Sequence, residues 1–286
     1  MQLIALLEAA VAKLTSAGVE SPEIDAQLLA AHVLDSSRGG IQSDLIIGRE
    51  LTDAQAEQID LLVAERAKRI PLQHLTGTGY FRNLELAVGR GVFIPRPETE
   101  SVAELAIQVL RAVPGEPIAV DLCTGSGAIA IAMSTEVPNA EVFAWELNPE
   151  SESFLRSNIT KYGDRVKLTM GDIADDSGFA SLVGQVSVVI SNPPYIPKDA
   201  IPRDLEVREH DPALALYGGD DGMDIMRIVS KRALELLVPG GFLVVEHADN
   251  QAPVVADLFE SDGWKQVRSH KDLSGRDRAV SAVKAY

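Results

Sequence analysis

The chain has 286 residues, of which 26 are Lys or Arg and 42 are Asp or Glu, so its formal net charge is −16. Nucleic-acid enzymes normally present a basic surface to phosphates, so this acidic balance disfavours direct binding of DNA or RNA. The length suits about two domains, and the single cysteine excludes a disulfide framework and suits a reducing compartment.

The first 70 residues predict an α-helical bundle. Apolar residues recur at helical spacing from Leu3 to Leu14, and Ser21-Pro22 opens a second helix. Thr52 is the expected N-cap of a further helix. The N-terminus has no basic start followed by a long apolar stretch, so we expect a cytoplasmic protein without a membrane partner.

Residues 74–93 mix apolar alternation with turn residues, which predicts a β-hairpin connector. Strands and helices then alternate as far as the C-terminus, and this alternation predicts an α/β fold with a parallel-type sheet covered on both faces. The predicted strands are 118–122, 141–146, 166–170, 186–191, 241–246, 265–270 and 278–284, and the helices between them include 128–136, 150–161, 223–237 and 252–261. In such folds, ligands bind beyond the carboxyl ends of the strands.

A turn of small residues follows the first strand of this sheet. Asp121 lies at the end of the strand. The glycines of the turn would let the backbone approach a ligand where a Cβ would clash. The candidate binding residues of the turn are Cys123, Thr124, Gly125, Ser126 and Gly127. The same pattern is also a common structural connection. It matches neither the dinucleotide-binding nor the P-loop motif, so NAD and nucleoside triphosphates are disfavoured.

An acid also stands at or just after the end of each of the next two strands. Glu146 lies roughly 20 residues past the glycines, where a carboxylate accepts ribose hydroxyls in nucleotide-binding folds. Asp172 and Ile173 follow the third strand, where they would flank an adenine ring, although Asp172 is equally suited to capping the following turn. The five histidines and the lone cysteine show no metal-ligand spacing, so we expect no metal.

Residues 188–195 read VVISNPPY, an apolar run that stops at a rigid polar and aromatic loop. An Asn oxygen and a proline carbonyl can accept both N–H bonds of an amide or a ring amino group, which leaves the nitrogen lone pair facing an electrophile. The two prolines stiffen the loop. The candidate catalytic residues are therefore Asn192, Pro193, Pro194 and Tyr195. The alternative interpretation is a Pro-rich turn after a buried strand.

Two further segments carry a family resemblance: residues 69–77, RIPLQHLTG, and residues 91–100, GVFIPRPETE. Together with Asn192–Tyr195 they resemble the protein-(glutamine-N5) methyltransferases that modify translation termination factors, and the resemblance covers nearly the whole chain. It implies a Rossmann-like class I methyltransferase with S-adenosyl-L-methionine as the donor. The implied acceptor is the glutamine of a Gly-Gly-Gln loop in peptide chain release factors.

The resemblance also implies a division of the chain. Residues 1–73 would form an N-terminal helical substrate-recognition domain, residues 74–97 a β-hairpin linker, and residues 98–286 the methyltransferase domain, in a protein expected to be a monomer. Further residues expected to bind the donor are Phe93, Pro95, Arg96, Glu98 and, with its loop, Asn192. The Pro95–Glu98 run would alternatively serve only to anchor the helix that follows it.

The chain departs from the family pattern at three positions. Cys123 stands where many members have glycine, and Glu146 replaces the commoner aspartate. Ile173 occupies a position where an aromatic residue is frequent, so the expected adenine wall has apolar contact without ring stacking.

Two other functions fit parts of the sequence. An N6-adenine or other nucleic-acid amino methyltransferase could use the same Asn192–Tyr195 loop, but the charge of −16 and the lack of a base-reading motif weigh against it. A non-catalytic scaffold would need a decayed donor site, whereas the site residues all retain usable types: Asp121, Gly125, Gly127, Glu146 and Asn192. The favoured reaction is direct methyl transfer without a dedicated base, in which water takes the proton released from the methylated amide.

Overall fold

The structure is a computed structural model that describes residues 1–175 and 178–286. Its contacts divide the chain into two compact units. One unit consists of Met1–Thr78 and Pro202–His210, and the other of Gly79–Ile201 and Asp211–Tyr286. We call them the helical unit and the sheet unit. The helical unit is therefore assembled from two separate stretches of chain.

In the described residues the helices, in chain order, are α1 (Leu3–Ser16), α2 (Pro22–Val33), α3 (Arg38–Ile47), α4 (Asp53–Ala67), α5 (Leu72–Thr76), α6 (Pro97–Ala112), α7 (Ala128–Glu136), α8 (Glu152–Lys161), α9 (Leu205–His210), α10 (Ala213–Leu216), α11 (Asp224–Leu236) and α12 (Ala252–Ser261). The strands are β1 (Thr78–Phe81), β2 (Leu84–Ala87), β3 (Ile118–Leu122), β4 (Glu141–Glu146), β5 (Val166–Met170), β6 (Val186–Ser191), β7 (Leu237–Glu246), β8 (Lys265–Lys271) and β9 (Asp277–Val283). None of the helices in this part of the chain is both long enough and apolar enough to span a bilayer.

The helical unit has an apolar core of its own, as the helical periodicity predicts. Leu14 on α1, Leu29 on α2 and Ile59 on α4 are fully buried in it. Helix α4 begins at the predicted cap: Thr52 Oγ1 accepts the backbone N–H of Gln55 at 3.3 Å, and Gln55 Oε1 accepts that of Thr52 at 3.1 Å. This reciprocal pair is a capping box, which satisfies two otherwise unpaired donors.

An ion network of buried and partly buried side chains joins the two stretches of the helical unit. Arg66 on α4 has a side chain that is only 6% exposed, and its Nε lies 2.7 Å from Asp25 on α2. Arg66 Nη2 lies 2.7 Å from Glu206 on α9, and Arg69 Nε lies 3.0 Å from the same Glu206 oxygen. Burying these charges costs several kcal/mol per ion, so each one depends on its partners.

The sheet unit is built on one seven-stranded sheet with the order β5-β4-β3-β6-β7-β9-β8. Neighbouring strands from β5 to β7 pair in parallel, whereas β9 pairs antiparallel with both β7 and β8. The direction of the chain across the sheet reverses between β3 and β6, which makes this the switch point where ligands bind in open α/β sheets. The sequence did not predict that β9 runs antiparallel to the other strands of the sheet.

Helices cover both faces of this sheet. Ala119 and Val120 on β3 point to opposite sides because successive strand residues alternate. Ala119 packs in a cluster with apolar residues of α6, α7 and α8, and Val120 packs in a second cluster with residues of α11 and α12. The predicted α/β fold with a doubly covered sheet is confirmed.

The predicted hairpin is also present. Strands β1 and β2 form a two-stranded sheet and are joined by Arg82 and Asn83. Phe81 and Leu86 bury their side chains in the core that contains Ala119. The guanidinium of Arg82 binds Glu136 at the end of α7, so both apolar packing and charge hold the hairpin against α7 within the sheet unit.

We predict that Arg66→Met destabilises the protein by about 3–5 kcal/mol, because it leaves the buried Asp25 carboxylate without its counter-ion. The matched control is Lys68→Met, which removes an exposed pair with Glu65 and should change stability by less than about 1 kcal/mol. Urea unfolding of the full chain, followed by far-ultraviolet circular dichroism, measures both. Equal losses in the two variants would contradict a structural role of the buried network.

Candidate active site

The turn after β3 is folded back onto the end of its strand. Asp121 is fully buried, and its Oδ2 accepts hydrogen bonds from Thr124 Oγ1 at 2.5 Å and from the backbone N–H of Ala130 at 3.1 Å. In the described structure its other oxygen, Oδ1, has no hydrogen-bond partner. Burial raises the pKa of Asp121 to about 7. The carboxyl thus fixes the start of α7 and keeps one free acceptor.

The backbone of this turn is left-handed at three positions, with φ of 63° at Cys123, 59° at Gly125 and 85° at Gly127. A Cβ at Gly127 would lie 2.7 Å from Leu155 Cδ1, so helix packing requires glycine there. A Cβ at Gly125 would meet no heavy atom within 4 Å. The turn therefore has open space beside Gly125, where a ligand can approach the backbone. Cys123 holds a conformation that disfavours a side chain.

Glu146, at the end of β4, is bonded to this turn. Its Oε2 accepts the backbone N–H of Gly125 at 2.7 Å, and its Oε1 accepts that of Asn148 at 2.7 Å. Burial raises the pKa of Glu146. Each carboxylate oxygen carries two lone pairs, so both can accept a further donor such as a ribose hydroxyl.

Two asparagines that the sequence analysis missed connect the site to the chain before α6. Asn148 Nδ2 donates to the Gly91 carbonyl at 2.9 Å, which holds the segment around Phe93 beside the end of β4. Asn158 Nδ2 donates to the carbonyl of Ser126, a buried turn residue, at 3.0 Å and to the carbonyl of Ala87, at the end of β2, at 3.0 Å. The only signal for Asn148 was its place two residues after a strand-end acid.

The acids at the ends of β3, β4 and β5 lie around Cys123. The pKa of its thiol is raised, and burial makes the largest contribution. The negative charges of Glu146, Asp121 and Asp172 raise this pKa further. The structure therefore brings these three predicted site residues together. A concentration of carboxylates at the switch point suits a positively charged ligand.

Asp172 and Ile173 differ in their surroundings. Asp172 is exposed, and its Oδ1 accepts the backbone N–H of Ala174 at 2.8 Å, so it does cap the following turn. Ile173 is buried in the apolar cluster that contains Trp145 and Phe179. A role for either residue beside an adenine ring stays a prediction.

The Asn192–Tyr195 loop leaves the sheet at the carboxyl end of β6, the strand next to β3. Asn192 Nδ2 donates to Thr99 Oγ1 on α6 at 3.3 Å. Pro193 and Pro194 are buried, whereas Asn192 and Tyr195 are half-buried. The Tyr195 carbonyl accepts a hydrogen bond from Gln251 Nε2 at 2.9 Å, and burial raises the pKa of its phenol. The loop is thus fixed on both sides.

The Pro95–Glu98 run lies at the start of α6. The guanidinium of Arg96 stacks over the Phe93 ring at 5.1 Å and its Nη2 lies 2.7 Å from Asp211. Pro95 is half-buried, and Glu98 is exposed in the first turn of the helix. These contacts anchor the helix start, and a role as a wall over a donor stays a prediction.

Comparisons with known proteins agree with this geometry. Residues 5–77 match the family described as PrmC N-terminal domain, and residues 83–207 match the one described as Methyltransferase small domain. The chain is 46% identical to the release factor glutamine methyltransferase of Streptomyces coelicolor, over 99% of this chain and 98% of the relative. It is 42% identical to that of Deinococcus radiodurans, over 100% and 99% of the two chains.

The solved structures that are similar include the protein-(glutamine-N5) methyltransferase (release factor-specific) of Alicyclobacillus acidocaldarius. It is 27% identical, with a TM-score of 0.43, over 70% of this chain and 99% of that chain.

The open sheet with its ligand-binding edge and the matched domain define a Rossmann-like class I methyltransferase, an enzyme that uses S-adenosylmethionine. Within that class, the chain belongs to the release factor glutamine methyltransferase family, because relatives at 46% and 42% identity span almost all of it. The family predicted from the sequence is confirmed.

The site residues fit the donor of this class. The open space at Gly125 admits a ligand against the backbone, and Glu146 has spare acceptors at a strand end. Asp121 keeps a buried oxygen that has no partner among the described residues, and the surrounding carboxylates favour a cation. A sulfonium compound with a ribose has the matching groups.

We predict that Gly125→Ala weakens S-adenosylmethionine binding at least about tenfold, because the added methyl group fills the open space at the turn. The control is Gly115→Ala in the turn before β3. Gly115 has a φ of 81° and, like Gly125, no heavy atom within 4 Å of a built Cβ. Both variants should lose roughly 1–2 kcal/mol of stability from backbone strain.

Isothermal titration calorimetry separates these two effects. We expect the dissociation constant to rise for Gly125→Ala and to stay at the wild-type value for Gly115→Ala. Unchanged affinity in the first variant, or the same loss in both, would show that the donor does not lie against this turn.

Proposed function

We propose that this protein acts in the cytoplasm and transfers a methyl group from S-adenosyl-L-methionine to the side-chain amide nitrogen (N5) of the glutamine in the Gly-Gly-Gln loop of peptide chain release factors. The observation that carries the proposal is the orientation of the Asn192 side-chain amide. Its amide N–H is used by Thr99, so its oxygen is left as the acceptor for a substrate N–H.

Asn192 and Pro193 orient the substrate amide. In the described structure the Pro193 carbonyl accepts no hydrogen bond, so it and Asn192 Oδ1 can each take one N–H of the glutamine side chain. Both bonds lie in the plane of the amide, and this arrangement leaves the nitrogen lone pair out of the plane, facing the methyl group. Fixing the reactants in this way can remove up to roughly 7–11 kcal/mol of the barrier.

The residues around the loop enclose the reacting groups. Tyr195 supplies a flat wall on one side, and Phe93, fixed by Arg96 and by the Asn148 bond to Gly91, supplies another. Burial raises the pKa of the Tyr195 phenol, so it stays protonated and does not act as a base. Water takes the proton that the amide nitrogen releases after methylation.

The edge of the sheet holds the donor. Glu146 would accept the ribose hydroxyls, the turn Thr124–Gly127 would hold the amino-acid part, and Asp172 and Ile173 would border the adenine. S-adenosylmethionine, when bound, supplies a methyl group on a positively charged sulfonium. The carboxylates of Asp121 and Glu146 stabilise that positive charge before transfer, and Pro95–Glu98 form one wall over it.

A protein acceptor suits this chain better than a nucleic acid does. The net charge of −16 repels phosphates and attracts basic proteins, and many RNA-binding proteins are basic. The identity of 46% to a release factor glutamine methyltransferase extends through the helical unit as well as the sheet unit. We therefore propose that the helical unit recognises the release factor.

The acceptor can be tested directly with radiolabelled S-adenosylmethionine. We predict that the full chain labels a release factor, but not the same factor with its Gly-Gly-Gln glutamine changed to alanine, and not duplex DNA. Label on DNA would favour the nucleic-acid alternative. Equal label on the normal and the mutant factor would refute glutamine as the acceptor.

We also predict that Asn192→Ala lowers kcat at least about 10²-fold, because one oriented polar group is removed from the reacting amide. Asn139→Ala, which removes an exposed asparagine bonded to the Gly115 carbonyl, is the control and should keep normal turnover. Single-turnover assays at saturating donor measure the effect. Near-normal turnover of Asn192→Ala would mean that the loop is only structural.

A further inference from the structure

Glu246 is a buried acid beside the reaction site that the proposed mechanism does not use. It ends β7, the strand that pairs in parallel with β6, and Ser191 lies opposite Val245 in that pairing. Asn192, directly after β6, and Glu246, the last residue of β7, each follow this pair by one residue and therefore lie side by side. Glu246 is 2% exposed, and its Oε2 has no hydrogen-bond partner among the described residues.

Thr99 connects these two side chains. It lies in the first turn of α6 and is 4% exposed. Its Oγ1 accepts the N–H of Asn192 at 3.3 Å. Thr99 and Asn192 both lie beside the Glu246 carboxyl group, and their polar hydrogens favour its charged form and so lower its pKa. The three side chains thus form one short chain of polar groups, in which Thr99 and Glu246 are buried and Asn192 is half-buried.

The direction of hydrogen bonding along this chain depends on the protonation state of Glu246. An ionised carboxylate has no donor, so the Thr99 hydroxyl must donate to it, and the Thr99 oxygen is then free to accept from the Asn192 amide. A protonated Glu246 would donate instead. Thr99 could then donate to Asn192 Oδ1, and the Asn192 amide would turn its N–H groups toward the substrate.

We infer that ionised Glu246, acting through Thr99, fixes the Asn192 side chain with its oxygen toward the substrate amide, so that Glu246 is a positioning residue for methyl transfer. The inference rests on the proposed role of Asn192. If the Asn192 amide were turned the other way, its N–H groups would face the N–H groups of the substrate glutamine. Neither side could then accept a hydrogen bond, so the glutamine could not bind productively.

The charges around Glu246 are of both signs. Arg278 on β9 faces the carboxylate and lowers its pKa, and Glu98 on α6 raises it. Tyr195 on the loop lies near it, and Arg278 is itself bound to Asp272 at 3.2 Å. Burial outweighs the other contributions, and the pKa of Glu246 is raised to about 7. The carboxyl is therefore mostly charged at pH 8 and mostly neutral at pH 6.

The test compares Glu246→Gln with the wild-type protein in the release factor assay, at saturating donor, between pH 6 and pH 8. Glutamine has the size of the acid and imitates its neutral form. We expect the ratio of wild-type to variant kcat to be near one at pH 6 and to rise to about tenfold at pH 8, with KM for the donor unchanged. Taking the ratio cancels the titration of Asp121, which both proteins share.

Variants of Thr99 provide a second, independent test. Thr99→Val keeps the shape but breaks the chain, and should lose about as much turnover at pH 8 as Glu246→Gln does, with no further loss in the double variant. Thr99→Ser keeps the hydroxyl and should keep the activity. Glu136→Gln, in which an acid paired with Arg82 outside the site is changed, should follow the wild-type pH profile.

Stability separates positioning from folding. The folded-state pKa of Glu246 lies above the ordinary carboxyl value, so its ionisation disfavours the folded state as the pH rises through 7. Glu246→Gln should therefore melt at the wild-type temperature or higher at pH 8 while its turnover falls. A kcat ratio near one at pH 8, or normal turnover of Thr99→Val, overturns the inference.

These outcomes are distinct from failure of the proposed function. If the wild-type protein labels the release factor and Asn192→Ala does not, the function stands, and normal Glu246→Gln turnover refutes only the role of Glu246. If the wild-type protein does not label the release factor, the proposed function itself fails.

Discussion

The carboxylate of Glu146 holds the whole ligand-binding edge together. One of its oxygens binds the backbone of the turn after β3, and the other binds the backbone that follows β4. Asn148, fixed in this way, in turn binds the carbonyl of Gly91 and so positions Phe93. A single side chain therefore aligns three segments that are distant in sequence, and an aspartate at this position, being shorter, would have to reach the same groups from farther away.

The acids at this edge contrast with those of the helical unit. Asp25 is buried and Glu206 is partly buried, and both pair with arginines, so their charges are compensated within the fold. Asp121, Glu146 and Glu246 are buried with weaker compensation, and burial raises the pKa of each. Such incompletely paired groups cluster where a protein binds a ligand or does chemistry, because the ligand completes their interactions.

Much of the fold could be predicted from the sequence. Strands such as Ile118–Leu122 coincide with their predicted bounds because each is an apolar run ended by a turn residue or an acid. The antiparallel direction of β9 could not be predicted, since hydrophobic periodicity carries no information about strand direction. The association of Pro202–His210 with the helical unit was equally hidden, because it depends on the long-range pairing of Glu206 with two arginines.

The site could be predicted only where the chain carries a compact motif. The Gly-rich turn and Asn192–Tyr195 are runs of unusual residues, whereas Thr99 and Glu246 are single residues that meet only in three dimensions. A signal for Glu246 existed in retrospect: β7 ends in an acid, as β3 and β4 do in their last two residues. Because β7 is a neighbour of β6, that acid had to lie beside Asn192.

The divided helical unit has a consequence for synthesis on the ribosome. Although its first 78 residues are made first, the unit lacks Glu206 until the chain has been extended beyond α9. Until then Arg66 has only Asp25 as its buried carboxylate partner. The N-terminal unit therefore reaches its final form only after the Asn192–Tyr195 loop has been made, so completion of the first unit depends on most of the second, contrary to the simple order in which domains fold from the N-terminus.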